Sequence, residues 1–190
     1  MAEALPKVLP VVLAAGRATR FGGGKLDAML AGKRVGQWVL DALEAAGLTP
    51  GVIVTGPDAP AFAEDSGWRL ATNADPQAGL GTSLAIAARQ TDGPLLVALA
   101  DMPLVPASHF AALLQHECAA TAWQGGKSGV PALFPPALLP ELRDLSGDQG
   151  AGPLLTAMPD LALVEAPADA LLDIDRPEDL ARAEAILQRG

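Results

Sequence analysis

"VLPVVLAAGRATRFGGGK", residues 8–25, decides the fold. Its first eight residues are an apolar run that reads as a buried strand over 8–15. The run breaks into a loop that holds Gly16, Gly22, Gly23 and Gly24 and three cations, Arg17, Arg20 and Lys25. Bare backbone and positive charge directly after a first strand read either as an anion site at the carboxyl end of a sheet, where α/β proteins bind their ligands, or as a flexible strand-to-helix turn with solvated cations.

Beyond this stretch, apolar runs alternate with helical patterns. "GQWVLDALEAAG" (36–47) predicts a helix closed by Gly47, and "GVIVTG" (51–56) and "WRLATN" (68–73) predict strands. "GTSLAIAARQ" (81–90) predicts a helix capped by Thr82 or Ser83. "PLLVALA" (94–100) has no polar residue, as expected of a strand covered on both faces. A helix is expected over 106–119, then a strand at "GVPALF" (129–134) and helices near 136–144 and 150–158. "LALVEA" (161–166) predicts a further strand, and a last helix starts at about Pro177. The proline- and glycine-rich segment 125–153 reads as an insertion or lid. Strand alternating with helix predicts a mostly parallel sheet in a three-layer α/β/α sandwich, Rossmann-like, as one domain over 1–190.

Composition narrows the function. Half of the 190 residues are hydrophobic, which argues for a folded core rather than disorder. The formal charge of −9 disfavours nucleic acid, whose binding depends on neutralising phosphates. A small anion needs only a local cationic pocket. One cysteine, Cys118, permits no internal disulfide and fits a reducing compartment. No signal-peptide pattern and no apolar run of membrane-spanning length is present, so a cytoplasmic protein without membrane contact is expected.

In the opening loop, glycines let backbone N–H groups approach an anion, Arg20 can grip phosphate oxygens bidentately, and Lys25 supplies a compact charge. A P-loop is excluded, because Thr19 and Leu26 stand where glycine and Ser/Thr are required. A dinucleotide fingerprint is excluded, because Asp27 stands in the place of its third glycine. Asp101 ends the 94–100 strand, where a carboxylate can hold Mg²⁺ or serve as a turn residue. In "DIDRPEDL" (173–180), Asp175 with Glu178 fits a capping box, and Pro177 suits a first helical turn. His109, His116 and Cys118 read as ordinary residues of one helix with no metal role, and Trp38, Trp68 and Trp123 as packing residues.

"LAAGRATRFGGGK" (13–25) resembles the signature of the MobA/MocA-like nucleotidyltransferases, the family of the molybdenum cofactor cytidylyltransferases and guanylyltransferases. "NADPQAGLGTSLAIAA" (73–88), "ALADMPLV" (98–105), "SGVPALF" (128–134), "SGDQGAGPLL" (146–155) and "DIDRPEDL" (173–180) resemble later blocks of the cytidylyltransferase branch, in the same order. The resemblance implies the fold of the nucleotide-diphospho-sugar transferases and an Mg²⁺-dependent transfer of a nucleotide from a nucleoside triphosphate to a phosphate-bearing acceptor, releasing pyrophosphate. It implies Arg20, Lys25 and Asp101 as the catalytic set. Leu13, Ala14, Ala15, Gly16, Arg20, Gly22 and Lys25 would cradle the triphosphate, and Gly79, Gly81 and Ser83 would lie near base or sugar. Asp101 and Asp175 are the implied metal ligands, with Asp173 as the weaker candidate. Ala15, where guanylyltransferases carry a second glycine, favours CTP over GTP, and the branch implies molybdopterin as acceptor. Val130 replaces the histidine common before that proline, so a sugar- or polyol-phosphate acceptor stays open, as do a guanylyltransferase and a non-catalytic nucleotide-binding module.

Overall fold

The computed structural model describes residues 7–16 and 21–189. Among the described residues the first element is β1 (Leu9–Ala14), and the glycine loop ends in a 3-10 turn at Lys25–Asp27. A two-stranded hairpin follows, β2 (Met29–Leu30) with β3 (Lys33–Arg34), and then α1 (Val35–Ala45), β4 (Val52–Thr55), α2 (Ala61–Asp65) and β5 (Arg69–Thr72). Next come α3 (Leu80–Ala88), β6 (Leu95–Leu99), α4 (Ala107–Leu113), β7 (Ala119–Trp123) and β8 (Lys127–Phe134). The chain closes with α5 (Leu139–Arg143), α6 (Gly152–Thr156), β9 (Ala162–Glu165) and α7 (Pro177–Leu187).

Seven strands form the main sheet in the order β5-β4-β1-β6-β8-β7-β9. β5, β4, β1 and β6 run parallel, β8 lies antiparallel to both β6 and β7, and β9 returns parallel to β7. Side chains alternate between the two faces of each strand. Val12, Ile53 and Leu96 therefore pack with α1 and α4, while Val11, Val54 and Val97 pack with α3, α5 and α6. Both clusters are buried, so the sheet is the middle layer of a three-layer sandwich, as the apolar strands required.

The topology places the site. From β1 the chain steps to β4 and β5 on one side, then crosses back to β6 on the other side of β1. The loops that leave the carboxyl ends of β1 and β6 diverge there, which opens the crevice where such sheets bind ligands. Those loops are the glycine-rich stretch and the Asp101 turn.

Four local expectations are corrected. The helix expected over 106–119 stops at Leu113, and Ala119–Trp123 is a strand, with Cys118 just before it. Sheet pairing with β8 and β9 overrides the helical preference of an alanine-rich stretch. Residues 125–153 are no insertion: β8 sits inside the main sheet, and α5 and α6 help cover one face. α3 starts at Leu80 after Gly79, with no side-chain cap from Thr82 or Ser83. At α7 the carboxylate that caps is Asp179, not Glu178; it accepts from the Arg176 and Asp175 amides at 2.8 and 3.1 Å.

Candidate active site

The site begins with two backbone hydrogen bonds. The Ala100 amide donates to the Leu13 carbonyl at 3.0 Å, which extends the β1–β6 pairing one residue beyond the strand. The Ile174 amide donates to the Asp101 carbonyl at 2.9 Å. Ile174 is fully buried, so it anchors the segment before α7 against the end of β6, with Asp173 and Asp175 on either side of the anchor. Thus three aspartates from two distant parts of the chain meet one switch point.

Lys25 lies among them. Its ammonium donates to Asp101 Oδ2 at 2.7 Å and to Asp175 Oδ1 at 3.0 Å. The lysine side chain is only 6% exposed, while those of Asp101 and Asp175 are 24% and 49% exposed. Burial works to lower the lysine pKa, but attraction to Asp101 and the hydrogen bonds to both aspartates outweigh it and hold the pKa above its ordinary value. Asp173 Oδ1 is buried with no hydrogen-bond partner among the described residues. Burial first, then repulsion from Asp101 and Asp175, pushes the Asp173 carboxyl up to about 6; Lys25 offsets part of that.

Three carboxylates and one ammonium make a seat for additional positive charge. Among the described residues no three His, Cys, Asp or Glu side chains are arranged to enclose a metal ion. The accessible pair, Asp101 and Asp175, suits a hard divalent cation that takes one or two carboxylates and completes its shell with phosphate oxygens and water. The donor set therefore fits Mg²⁺ or Mn²⁺ held jointly with a polyphosphate.

The glycine loop approaches this seat from β1. Gly22, Gly23 and Gly24 have φ of 88°, 104° and 65°, a backbone path that other residues resist, and added Cβ atoms at these positions would meet nothing within 4 Å. Their conformation serves the turn and leaves open space above it. Gly16 is exposed at the start of the loop, whereas Leu13, Ala14 and Ala15 are buried as β1 ends. Arg20, like Arg17, lies outside the described residues.

Gly79 and Gly81 serve a close contact. A Cβ at Gly79 would stand 2.3 Å from the Gly147 carbonyl oxygen, and one at Gly81 2.8 Å from the Ser146 oxygen. The Gly81 amide donates to that same Gly147 oxygen at 2.9 Å. A strap of residues 146–149 thus lies across the start of α3. Ser83 is buried and accepts from the Asn73 amide nitrogen at 3.0 Å, so its oxygen holds the loop after β5.

Sequence reasoning missed four supporting roles. Asn73 ties that loop to α3 and also accepts from the Asp75 amide at 3.0 Å. Asp27 accepts from the Ala61 and Phe62 amides at 2.9 and 2.7 Å and so caps α2. Buried His109 meets Thr121 at 2.9 Å, and Thr121 donates to the Pro131 carbonyl at 2.7 Å. Gly129 has no room for a side chain, because Trp123 Nε1 lies 2.8 Å from where its Cβ would stand. The signal available for Asp27 was its place two residues after Lys25, but its partners lie a full βα unit away.

The fold also holds a cleft of about 1400 Å³. Leu80 of α3, Trp123, Val130, Lys127 and Leu172 contribute to its walls. In the chain Leu172 precedes Asp173, and Leu80 lies between Gly79 and Gly81.

The MobA-like NTP transferase domain matches residues 10–162, most of the chain. The chain belongs to this family. It is a nucleotidyltransferase. Solved structures agree with this domain along nearly its full length. A nucleotidyl transferase from Methanothermobacter thermautotroptrophicus superposes with a TM-score of 0.80 at 26% identity, over 97% of this chain and 99% of that one. A homolog of Rv0371c, from Mycobacterium sp. strain JC1, gives a TM-score of 0.78 at 25% identity, over 96% and 97%. Rv0371c of Mycobacterium tuberculosis in complex with manganese gives 0.76 at 24% identity, over 94% and 98%. No curated protein matches the sequence significantly. Among the described residues no helix is long and apolar enough to cross a membrane.

Proposed function

We propose that this nucleotidyltransferase moves CMP from CTP onto the phosphate of a small acceptor, with molybdopterin the first acceptor to test. The observation that carries the reading is the meeting of Lys25 with Asp101 and Asp175 at the switch point beside the glycine loop. An acceptor phosphate oxygen attacks the α-phosphorus, the bond to the β-phosphate breaks, and pyrophosphate leaves. The nucleophile is already anionic, so the chain need supply no general base. Its task is to bring anions together and neutralise charge. A divalent cation, held by Asp101 and Asp175, would draw charge from the triphosphate oxygens; Rv0371c binds manganese on the same fold. Lys25 stabilises charge at the α-phosphate, and Arg20 holds the β- and γ-phosphates. The exposed glycines at 16 and 22–24 give their amides to the triphosphate.

Ala15 supports CTP, since the resemblance associates a second glycine there with GTP. Val130 in the cleft wall supports a second reading, a sugar- or polyol-phosphate acceptor, because an apolar side chain stands where the cytidylyltransferases commonly offer histidine. The test is pyrophosphate release with Mg²⁺, each nucleoside triphosphate, and molybdopterin or a polyol phosphate. Release with CTP and molybdopterin is expected. Release with GTP alone overturns the Ala15 argument, and no release with any pair overturns transfer to these acceptors.

A further inference from the structure

We infer that Lys25 is the resident cation of the metal seat, and that the divalent metal enters only as this lysine leaves for the incoming phosphate; the inference rests on the reading of Asp101 and Asp175 as the metal-holding pair. The geometry points to exchange rather than sharing. The ammonium takes one oxygen of each carboxylate, at 2.7 and 3.0 Å, and so stands between the two groups. A divalent cation held by the same pair would compete with the ammonium for carboxylate charge, and a lysine left beside it would repel it.

The lysine is held firmly where it is. It is almost fully buried, and its partners more than offset the burial that opposes its charge. It begins the 3-10 turn directly after three glycines whose backbone takes positive φ and whose surroundings are open. The open space over those glycines leaves room for the ammonium to swing on its flexible four-carbon stem while the packed turn stays in place. A metal arriving alone must expel a buried ammonium with no new partner for it. A metal arriving on a polyphosphate brings that partner. Lys25 thus couples metal affinity to phosphate binding and guards the aspartates against divalent ions alone.

Titration of the nucleotide-free protein with Mn²⁺ alone, read by the electron paramagnetic resonance of unbound Mn²⁺, tests this. Lys25→Met is expected to bind Mn²⁺ about tenfold or more tightly than wild type, since one opposing positive charge is gone from the seat. Lys25→Gln repeats the test should the methionine variant fail to fold, and a circular dichroism melt reports folding of each. Adding Asp101→Asn to either lysine variant is expected to abolish the gain. Equal Mn²⁺ affinity in wild type and the lysine variants, with Asp101→Asn weakening both, overturns the exchange and leaves the metal reading standing. Tight binding that survives Asp101→Asn overturns the metal reading itself, and the inference with it.

Discussion

At the scale of single residues, Asp101 and Gly79 separate chemistry from packing. Asp101 is part-exposed and its side chain touches Lys25, so Asp101→Asn alters charge while leaving the shape of the turn. Turnover is expected to fall about 10²–10³-fold, as is typical when one transition-state contact is lost. The fall in melting temperature is expected to stay within a few degrees, because Asp175 still pairs the buried Lys25 ammonium and Asp173 loses a like-charged neighbour, and an unchanged kcat would remove Asp101 from the site. Gly79→Ala is expected to do the reverse. Its Cβ would strike the Gly147 carbonyl oxygen at 2.3 Å on a residue with φ of 94°, so overpacking and backbone strain add. A loss of about 1–3 kcal/mol follows, measured by denaturant melts. The places of Lys25 and Asp101 beyond the carboxyl ends of β1 and β6 were legible in the sequence, because each follows an apolar run. The resemblance placed Gly79 and Gly81 near base or sugar, and in the fold their bare faces receive the strap 146–149. A glycine's need for closeness is visible in sequence; the partner it approaches is not.

Elements show the same division. β1, α1, β4, β5, β6, β8, β9 and α7 were legible from apolar runs, closing glycines and an N-terminal proline. β7 was not, because "CAATAW" carries no period and alanine favours helix. Its strand state comes from β8 and β9 on its two sides, contacts made by later parts of the chain. α2 was not named either. It has five residues, too few to stand alone, and its first turn depends on the carboxylate of Asp27. Asp27→Ala leaves two amides unpaired and is expected to cost about 0.5–2 kcal/mol. Asp27→Asn, which keeps an accepting oxygen, is expected to recover part of this. Hydrogen exchange resolves the effect: faster exchange at Ala61 and Phe62 is expected in Asp27→Ala, and unchanged protection there would show that α2 does not rely on this cap.

For the whole molecule, the buried charge that α/β topology gathers at one switch point should be visible in the pH dependence of stability. Asp173 and His109 make opposite contributions. Burial and its acidic neighbours raise the folded Asp173 carboxyl to about 6 from 3.8, so between those values the folded chain binds more protons than the unfolded one. Its ionisation therefore destabilises the fold above about pH 6, and acidification relieves the cost. Burial lowers His109 below 6.5, with the Glu165 main chain offsetting part of the shift, although Nδ1 has no hydrogen-bond partner of good geometry among the described residues. There the unfolded chain binds the extra proton, and stability is lost as pH falls through 6.5. In wild type the two trends partly cancel, so variants must part them. In EDTA, Asp173→Asn is expected to melt above wild type at pH 7.5, with the difference shrinking toward pH 4. His109→Gln keeps a donor for Thr121 and cannot titrate, so its melting temperature is expected to gain on wild type as pH falls below 6.5. A pH-independent Asp173→Asn difference would mean that Asp173 is not carrying charge against its neighbours, and that the acidic seat is less crowded than its geometry requires.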